Sequence, residues 1–370
     1  MSMKEGWVYR KWIDVLTIIN GRNQKEVESK NGKYPICGSG GIMGYANDYL
    51  CPEETVIIGR KGNINNPIFM NQKFWNVDTA FGLVANTTYL LPRFLFYFCK
   101  EYDFERHNRA VTIPSLTKKD LYDILIPLPS ICKQETIVTK LDKLNEILVK
   151  KREQLKELDR LGQAIFYDMF GDLQSNICNY NIESLNDIFE LITDGTHQTP
   201  TYTIDKDNGY KFLSAKDVVS GSIDWTNVKY IPHELHEVLY KRLAPRRNDI
   251  LLCKNGTTGT CALVDTDEVF DIYVSLALLR PYAKYNPIYL VHAINSPCTK
   301  MQFNDALKGV GVPNLHLGEI RRVKIIVPPI DFQNHFERKV IGIESQKQKI
   351  KQSIVEVQQL LDYTMNKYFG

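Results

Sequence analysis

The chain repeats itself, and this limits its possible folds more than any other feature does. With Pro114 set against Pro313, an offset of 199, an alignment runs without a gap to the C-terminus, where Phe170-Gly171 meets Phe369-Gly370. Over these 58 residues 12 positions are identical. Besides Pro114, Phe170 and Gly171 they are Leu116, Ile126, Pro129, Ile131, Gln134, Lys140, Lys150, Glu157 and Leu161. Their partners are Leu315, Ile325, Pro328, Ile330, Gln333, Lys339, Lys349, Glu356 and Leu360. Upstream the match is looser. Asp14-Val15-Leu16 sits against Asp187-Ile188-Phe189 at an offset of 173, so the second copy carries about 26 extra residues in its first part. The plan is A–B–A′–B′, in which each unit is duplicated and 370 residues divide between more than one core.

Block B reads as a long helix. Its apolar positions step by four and three through Leu141, Leu144, Leu148, Leu155 and Leu158, with Lys151 and Gly162 breaking the pattern. B′ repeats the seam at Val340, Ile343, Ile350, Ile354 and Val357, with Lys347 interrupting. A 3,4 spacing over about four heptads is a coiled-coil pattern. About 35 residues rising ~1.5 Å each make a rod of roughly 50 Å, which cannot bury its stripe on itself. The simplest partner is the other copy, so these ten residues are assigned to the contact between helices and to partner docking. Between residues 131 and 171 eight basic side chains face seven acidic ones, a balance that suits a solvated rod and not a DNA-binding face.

Blocks A and A′ read as mixed and strand-rich. Residues 55–59, 249–253 and 323–327 are short apolar runs, partly β-branched, with Gly or Pro close behind. Residues 94–102 and 288–295 read as short helices, and a Pro-bounded extended run (114–129, 313–328) leads into each long helix. The expected fold is α+β: residues 1–130 and 176–330 form two mixed domains, and long helices run over 131–175 and 331–370.

Composition excludes several classes. Hydrophobic residues at 44% and charged residues at 24% are globular values, and no run approaches the ~18 apolar residues of a membrane span. Residues 1–20 carry no secretory pattern, and eight cysteines without a CxxC pair read as reduced, buried thiols, so a cytoplasmic protein is expected. No zinc spacing occurs, and His233 and His236 lack companions. Lys and Arg number 46 against 43 Asp and Glu, so net charge gives no sign of a polyanion partner.

The loops are more telling. Residues 59–63 (GRKGN) and 254–259 (KNGTTG) occupy corresponding places after an apolar run in the two copies. Arg and Lys bond phosphates or guanine edges, and Asn bonds adenine. Arg60, Lys61, Asn63, Lys254, Asn255, Thr257 and Thr258 are therefore candidate DNA contacts. Arg106 and Arg109, then Lys308 and Asn314, lie on the segments leading into each closing run. Thr196 and His197 sit in a polar loop (DGTHQTP, 194–200). Around residues 38–41 (GSGG) the glycines allow a tight loop that brings Tyr34, Ser39 and Gly40 towards a phosphate.

Enzymatic readings fare worse. No GxxxxGK[ST] loop occurs. Asp14, Glu28 and Lys30 form a loose D…ExK pattern that would suit a self-contained, Mg-dependent, sequence-specific endonuclease, but residues 24–33 offer no strand to hold Glu28, and Asp14 pairs with Asp187 as a structural position. Residues 66–69 (NPIF) lack the second proline of an amino-methyltransferase loop. A binding protein is favoured.

These residues resemble the specificity subunit of type I restriction–modification enzymes. The resemblance rests on residues 33–45 (KYPICGSGGIMGY), 56–62 (VIIGRKG), 113–121 (IPSLTKKDL), 126–129 (IPLP), 194–200, 212–218 (FLSAKDV) with Lys216, and 327–330 (VPPI), in that order across nearly the whole chain. It implies a non-catalytic chain with two target-recognition domains, separated by the two long helices as an antiparallel coiled-coil pair, each domain reading half of a split, non-palindromic site on double-stranded DNA. It implies a pair of methyltransferase subunits docked on the helices, with the restriction–translocase subunits joining through them. This chain would bind no cofactor: S-adenosylmethionine, ATP and Mg²⁺ would be held by the partners, and no membrane would be involved.

Overall fold

A computed structural model describes residues 6–108, 112–173, 176, 178–219, 221–307 and 314–370. The chain divides into two compact units, Met1–Glu153 with Ile350–Gly370, and Gln154–Lys349.

The first unit opens with β1 (Val8–Lys11), a one-turn helix α1 (Trp12–Val15) and β2 (Leu16–Asn20). There follow β3 (Tyr34–Gly38), β4 (Gly41–Ala46), β5 (Thr55–Gly59), β6 (Ile68–Met70), β7 (Trp75–Asn76), β8 (Ala80–Ala85), α2 (Pro92–Glu101), α3 (Lys118–Tyr122) and β9 (Leu125–Leu128). Four strands pair in the order β2-β8-β5-β6, three in the order β4-β3-β7, and β1 closes on β9. The long helix α4 (Ile131–Phe170) then begins. Strand β5 is buried along its length, as the continuous run at residues 55–59 requires of a strand covered on both faces.

The second unit rebuilds this plan. Its elements are β10 (Asn181–Ser184), α5 (Leu185–Ile188), β11 (Phe189–Asp194), β12 (Tyr210–Leu213), β13 (Val218–Val219), β14 (Ser222–Ile223), β15 (Lys229–Ile231) and α6 (His233–Arg242). They continue with β16 (Ile250–Cys253), β17 (Cys261–Leu263), β18 (Phe270–Ile272), β19 (Leu276–Pro281), α7 (Pro287–Asn295), α8 (Pro297–Asp305), α9 (Leu317–Arg322), β20 (Lys324–Val327) and α10 (Ile330–Phe369). The sheet orders are β11-β19-β16-β17, β15-β12-β18 and β10-β20, strand for strand those of the first unit. The middle sheet is mixed in both, because β3 and β12 run parallel to β7 and β18. Most of the extra residues of the second copy form the β13–β14 ladder and α6, which lie between β12 and β16.

The repeated glutamine gains a reason. Gln134 Oε1 accepts from the Leu91 N–H at the start of α2, and its Nε2 donates to the carbonyls of Tyr89 and Pro129. Gln333 Oε1 accepts from the Asn286 N–H at the start of α7, and its Nε2 donates to Pro328. Each amide serves backbone groups that a helix end and a Pro-bounded turn leave without partners.

Each long helix spans 40 residues. Helix α4 stops at Phe170, five residues before the expected boundary, because Gly171 takes φ 69° and its N–H returns to the Tyr167 carbonyl. In the first unit Leu141 and Leu148 are buried with Leu361, Met365 and Phe369 in one core, with Leu144, Ile354 and Val357 packed against it. In the second, Phe166 and Phe170 share a core with Phe336 and Val340. Phe166 meets Phe336 with ring centroids 5.6 Å apart, and Asp159 meets Lys347 at 2.7 Å, so the helices run antiparallel there. Ile343 is buried as well, whereas Leu155, Leu158 and Ile350 are half-buried. Leu141, Leu148, Val340 and Ile343 are buried within the protein's own cores, on the side of each helix that meets the other.

Candidate nucleic-acid interface

The two basic loops are built on one template. In the first unit Arg60 follows β5. Its N–H bonds the Thr79 carbonyl (2.8 Å), and its carbonyl receives the Leu116 N–H (2.9 Å). In the second, Lys254 follows β16, its N–H bonds the Ser275 carbonyl (2.8 Å), and its carbonyl receives the Leu315 N–H (3.0 Å). Beside each, a glycine ends the first strand of the sheet: Gly21 bonds Ala80, and Gly195 bonds Leu276. Both positions require glycine, since a Cβ would lie 1.7 Å from the Val77 oxygen or 2.1 Å from the Ile272 oxygen.

The two side chains differ. Arg60 is exposed beside exposed Lys61 and Asn63, and Gly62 turns the loop with φ 80°. The guanidinium lies over the Phe81 ring (5.8 Å) and donates only a long 3.4 Å bond to the Asp78 carbonyl. Lys254 departs from the expectation of a solvent-facing cation: its Nζ is buried and donates to Asp194 Oδ2 at 2.6 Å. The Asp194 carbonyl accepts from Arg242, and its Oδ1 lies 3.3 Å from His197 Nε2. Burial pushes the Asp194 carboxyl up, but Lys254 and then His197 more than offset it and hold it below the usual carboxylate range. At the tip of this loop Asn255 and Thr258 are half-buried, while Gly256 (φ 74°) and Thr257 are exposed. Thr196 is buried, bonded through its backbone to Ile272 and Val274, and His197 is exposed.

The other candidates scatter around these junctions. Arg106 is exposed and pairs loosely with Asp103 (3.7 Å). Lys216 is exposed beside Asp217 (3.5 Å). Asn314 is half-buried, and its Oδ1 has no hydrogen-bond partner among the described residues. Arg109 and Lys308 lie outside the described residues. Ser39 and Gly40 form the tip of the β3–β4 hairpin, where Gly41 takes φ 106°, and Tyr34 packs on Tyr49 (5.1 Å).

Lysines stacked on aromatic rings carry no sequence signal. Lys33 lies over Tyr34 (5.7 Å) and Lys73 over Tyr49 (4.7 Å) beside the small sheet of the first unit. Lys229 over Tyr202 (3.9 Å) and Lys206 over Tyr230 (5.8 Å) do the same in the second. Cation and ring lie apart in sequence in three of the four pairs, so no motif marks them. Exposed cations on aromatic platforms suit a sugar-phosphate strand.

His236 is buried, bonds Asp271 through Nδ1 (2.7 Å) and stacks on Tyr210 (3.6 Å), whereas His233 faces solvent. Cys132 and Cys178 are exposed, against the expectation of buried thiols, while burial pushes the Cys37 and Cys51 thiols up, to about 11 and 12. Among the described residues no group of three His, Cys, Asp or Glu could hold a metal ion, and no helix is long and apolar enough to cross a membrane. Asp14 and Asp187 occupy the same place on the one-turn helices α1 and α5.

The type I restriction modification DNA specificity domain matches twice, over residues 4–159 and 179–353. The chain belongs to this family. Each match takes in one strand-rich domain and part of the long helix after it. The chain is 24% identical to the type I restriction enzyme EcoBI specificity subunit of Escherichia coli, covering 100% of this chain and 86% of that one. It is 20% identical to the MjaVIII specificity subunit of Methanocaldococcus jannaschii, covering 98% and 93%. The fold is shared with the S subunit of a type I restriction–modification system from M. genitalium (TM-score 0.61, 15% identity, 100% of this chain and 98% of that one). It is shared too with a chain of a type I system studied for complex assembly and conformational transition (TM-score 0.62, 17% identity, 100% and 99%). The type I specificity fold therefore accounts for both halves of the repeat.

Proposed function

We infer that this chain is the DNA-specificity subunit of a type I restriction–modification complex. It is non-catalytic, and the chemistry lies in partner subunits. One domain reads each half of a bipartite, non-palindromic site. The observation that carries this is the duplicated junction: the same three backbone bonds place a basic residue at the same point of two matched sheets, with different side chains at the tips. Matched frames with unlike tips suit unlike half-sites.

The partners are a pair of methyltransferase subunits that modify adenine, and restriction–translocase subunits that join through them. S-adenosylmethionine, ATP and Mg²⁺ belong to those subunits, and the complex works in the cytoplasm. A pair is supported by the repeat itself. Leu161 and Leu360 are identical between the copies yet 45% and 51% exposed, so packing within the chain does not account for their identity. Each lies one turn beyond an exposed Glu, Glu157 or Glu356, on the same helix face. Two equivalent exposed patches suit two copies of one partner.

The test is reconstitution with the methyltransferase and selection from randomised duplex DNA. The expected product is one split sequence, methylated on adenine in each half-site. Leu161→Asp and Leu360→Asp should each remove one methyltransferase from the complex, read as a loss of one subunit mass, without unfolding the chain. A complex with no sequence preference, or cleavage of plasmid by this chain alone with Mg²⁺, would overturn the assignment.

A further inference from the structure

The loops after β5 and β16 share their backbone frame, yet only one presents its basic side chain to solvent. Lys254 pairs with Asp194, the last residue of β11; the equivalent position in the first unit is Asn20, the last residue of β2. A carboxylate draws the lysine in, and a neutral amide leaves the arginine out.

Lys254 is the point where four segments of the second domain meet. Its ammonium holds the end of β11, its N–H holds Ser275, and its carbonyl holds Leu315. Ser275 in turn accepts from the Ala215 N–H through its hydroxyl, on the segment that carries Lys216. Beyond Lys254 the loop closes on itself, with Gly259 bonded to Cys253 and Thr260 to Thr257. The exposed tip and the His197 loop thus both issue from the two ends of one buried ion pair, and Arg242 of α6 pins the Asp194 carbonyl from the other side.

We propose that the Asp194–Lys254 pair determines which bases the second domain accepts without touching DNA, by fixing the His197 loop and the residue 255–258 tip relative to each other. Lys254 is a positioning residue here, whereas Arg60, at the same place in the first domain, is a direct contact. The inference rests on the DNA-reading function proposed above. A buried pair suits this positioning role, because its geometry is tightly set and moving either partner leaves an unpaired charge in a low dielectric.

The test uses the full chain purified with its methyltransferase subunits. Selection from randomised duplex DNA first gives both half-sites. Wild type, Arg60→Ala and the neutral double variant Asp194→Asn/Lys254→Met are then titrated with the selected duplex and with duplexes changed at single positions in either half, across a range of salt. The double variant removes both charges and so leaves no buried unpaired ion. Its discrimination within the second half-site should fall at least tenfold, with the first unchanged. Its slope of log affinity against log salt should match wild type, because no phosphate contact is lost, whereas Arg60→Ala should lower that slope by about one.

Should the double variant melt early, Asp194→Glu, which keeps both charges and lengthens the bridge by one methylene, is expected to lose second-half discrimination alone. Wild-type discrimination in a variant that melts normally, or a salt slope lowered by one in the double variant, overturns the proposal and leaves the DNA-reading function standing. A wild-type complex that selects no sequence overturns that function, and the proposal with it.

Discussion

Single residues decide how a shared frame is used. Arg60 and Lys254 stand at one backbone position, and the sequence marks both as basic residues on Gly-bearing turns. Burial was not legible there, because Asp194 is 60 residues from Lys254 and no local pattern joins them. Arg60→Ala and Lys61→Ala should each weaken DNA binding, roughly uniformly across second half-site variants, as titration at two salt concentrations would show; wild-type affinity in both would remove the exposed loop from the interface. His292 gives a separate reading at this scale. Burial holds its imidazole down, to about 4, with Glu344 opposing and Lys347 reinforcing the shift. The unfolded chain binds that proton near the ordinary value of 6.5. Stability is therefore complete above pH 6.5 and falls as pH drops towards 4, by about 2–3 kcal/mol from this residue. Thermal melts of His292→Leu between pH 7.5 and 5 should show a smaller loss than wild type; equal losses would assign the titration elsewhere.

At the scale of elements the long helices were the most legible part, because a 3,4 spacing needs only neighbours along the chain. Sheet order was not legible, since β5 pairs with β8 across 20 intervening residues whose run lengths carry no pairing information. The interruptions of the seam become meaningful only in the packed helices. By the offset of 199, Lys347 and Gly162 stand where the first unit has Leu148 and Leu361, both buried. In place of two leucines the second unit has a crevice of about 840 Å³, lined by Gly162, Phe166, His292, Val340 and Ile343 among others, with Lys347 bridging Asp159 and Glu344. A Cβ at Gly162 would meet nothing within 4 Å. Gly162→Ala should therefore stabilise by about 1 kcal/mol through helix propensity. Gly162→Leu should raise the melting temperature further by covering apolar surface. A lower melting temperature in both variants would mean that the crevice is closed in solution.

For the whole molecule, the repeat sets what can change independently. Each helix contributes one part to the core of the first unit and another to that of the second, so a change in the length of one helix must be matched in the other to keep the core contacts Leu141 and Leu148 share with Leu361, Met365 and Phe369. Duplicating one heptad within residues 141–158 together with the matching heptad of α10 adds ~10 Å of helix. That corresponds to about three base pairs at ~3.4 Å each along one strand. The expected outcome is a methylated site whose two half-sites are unchanged and whose spacer is about three base pairs longer, read by sequencing the methylated positions of genomic DNA. An altered half-site with an unchanged spacer, in a chain of normal melting temperature, would mean that the helices do not set the separation. The near-balanced charge of +3 is consistent with this division of work. A chain with so small a net charge gains little non-specific affinity for phosphate, as suits one that contributes recognition rather than bulk attraction.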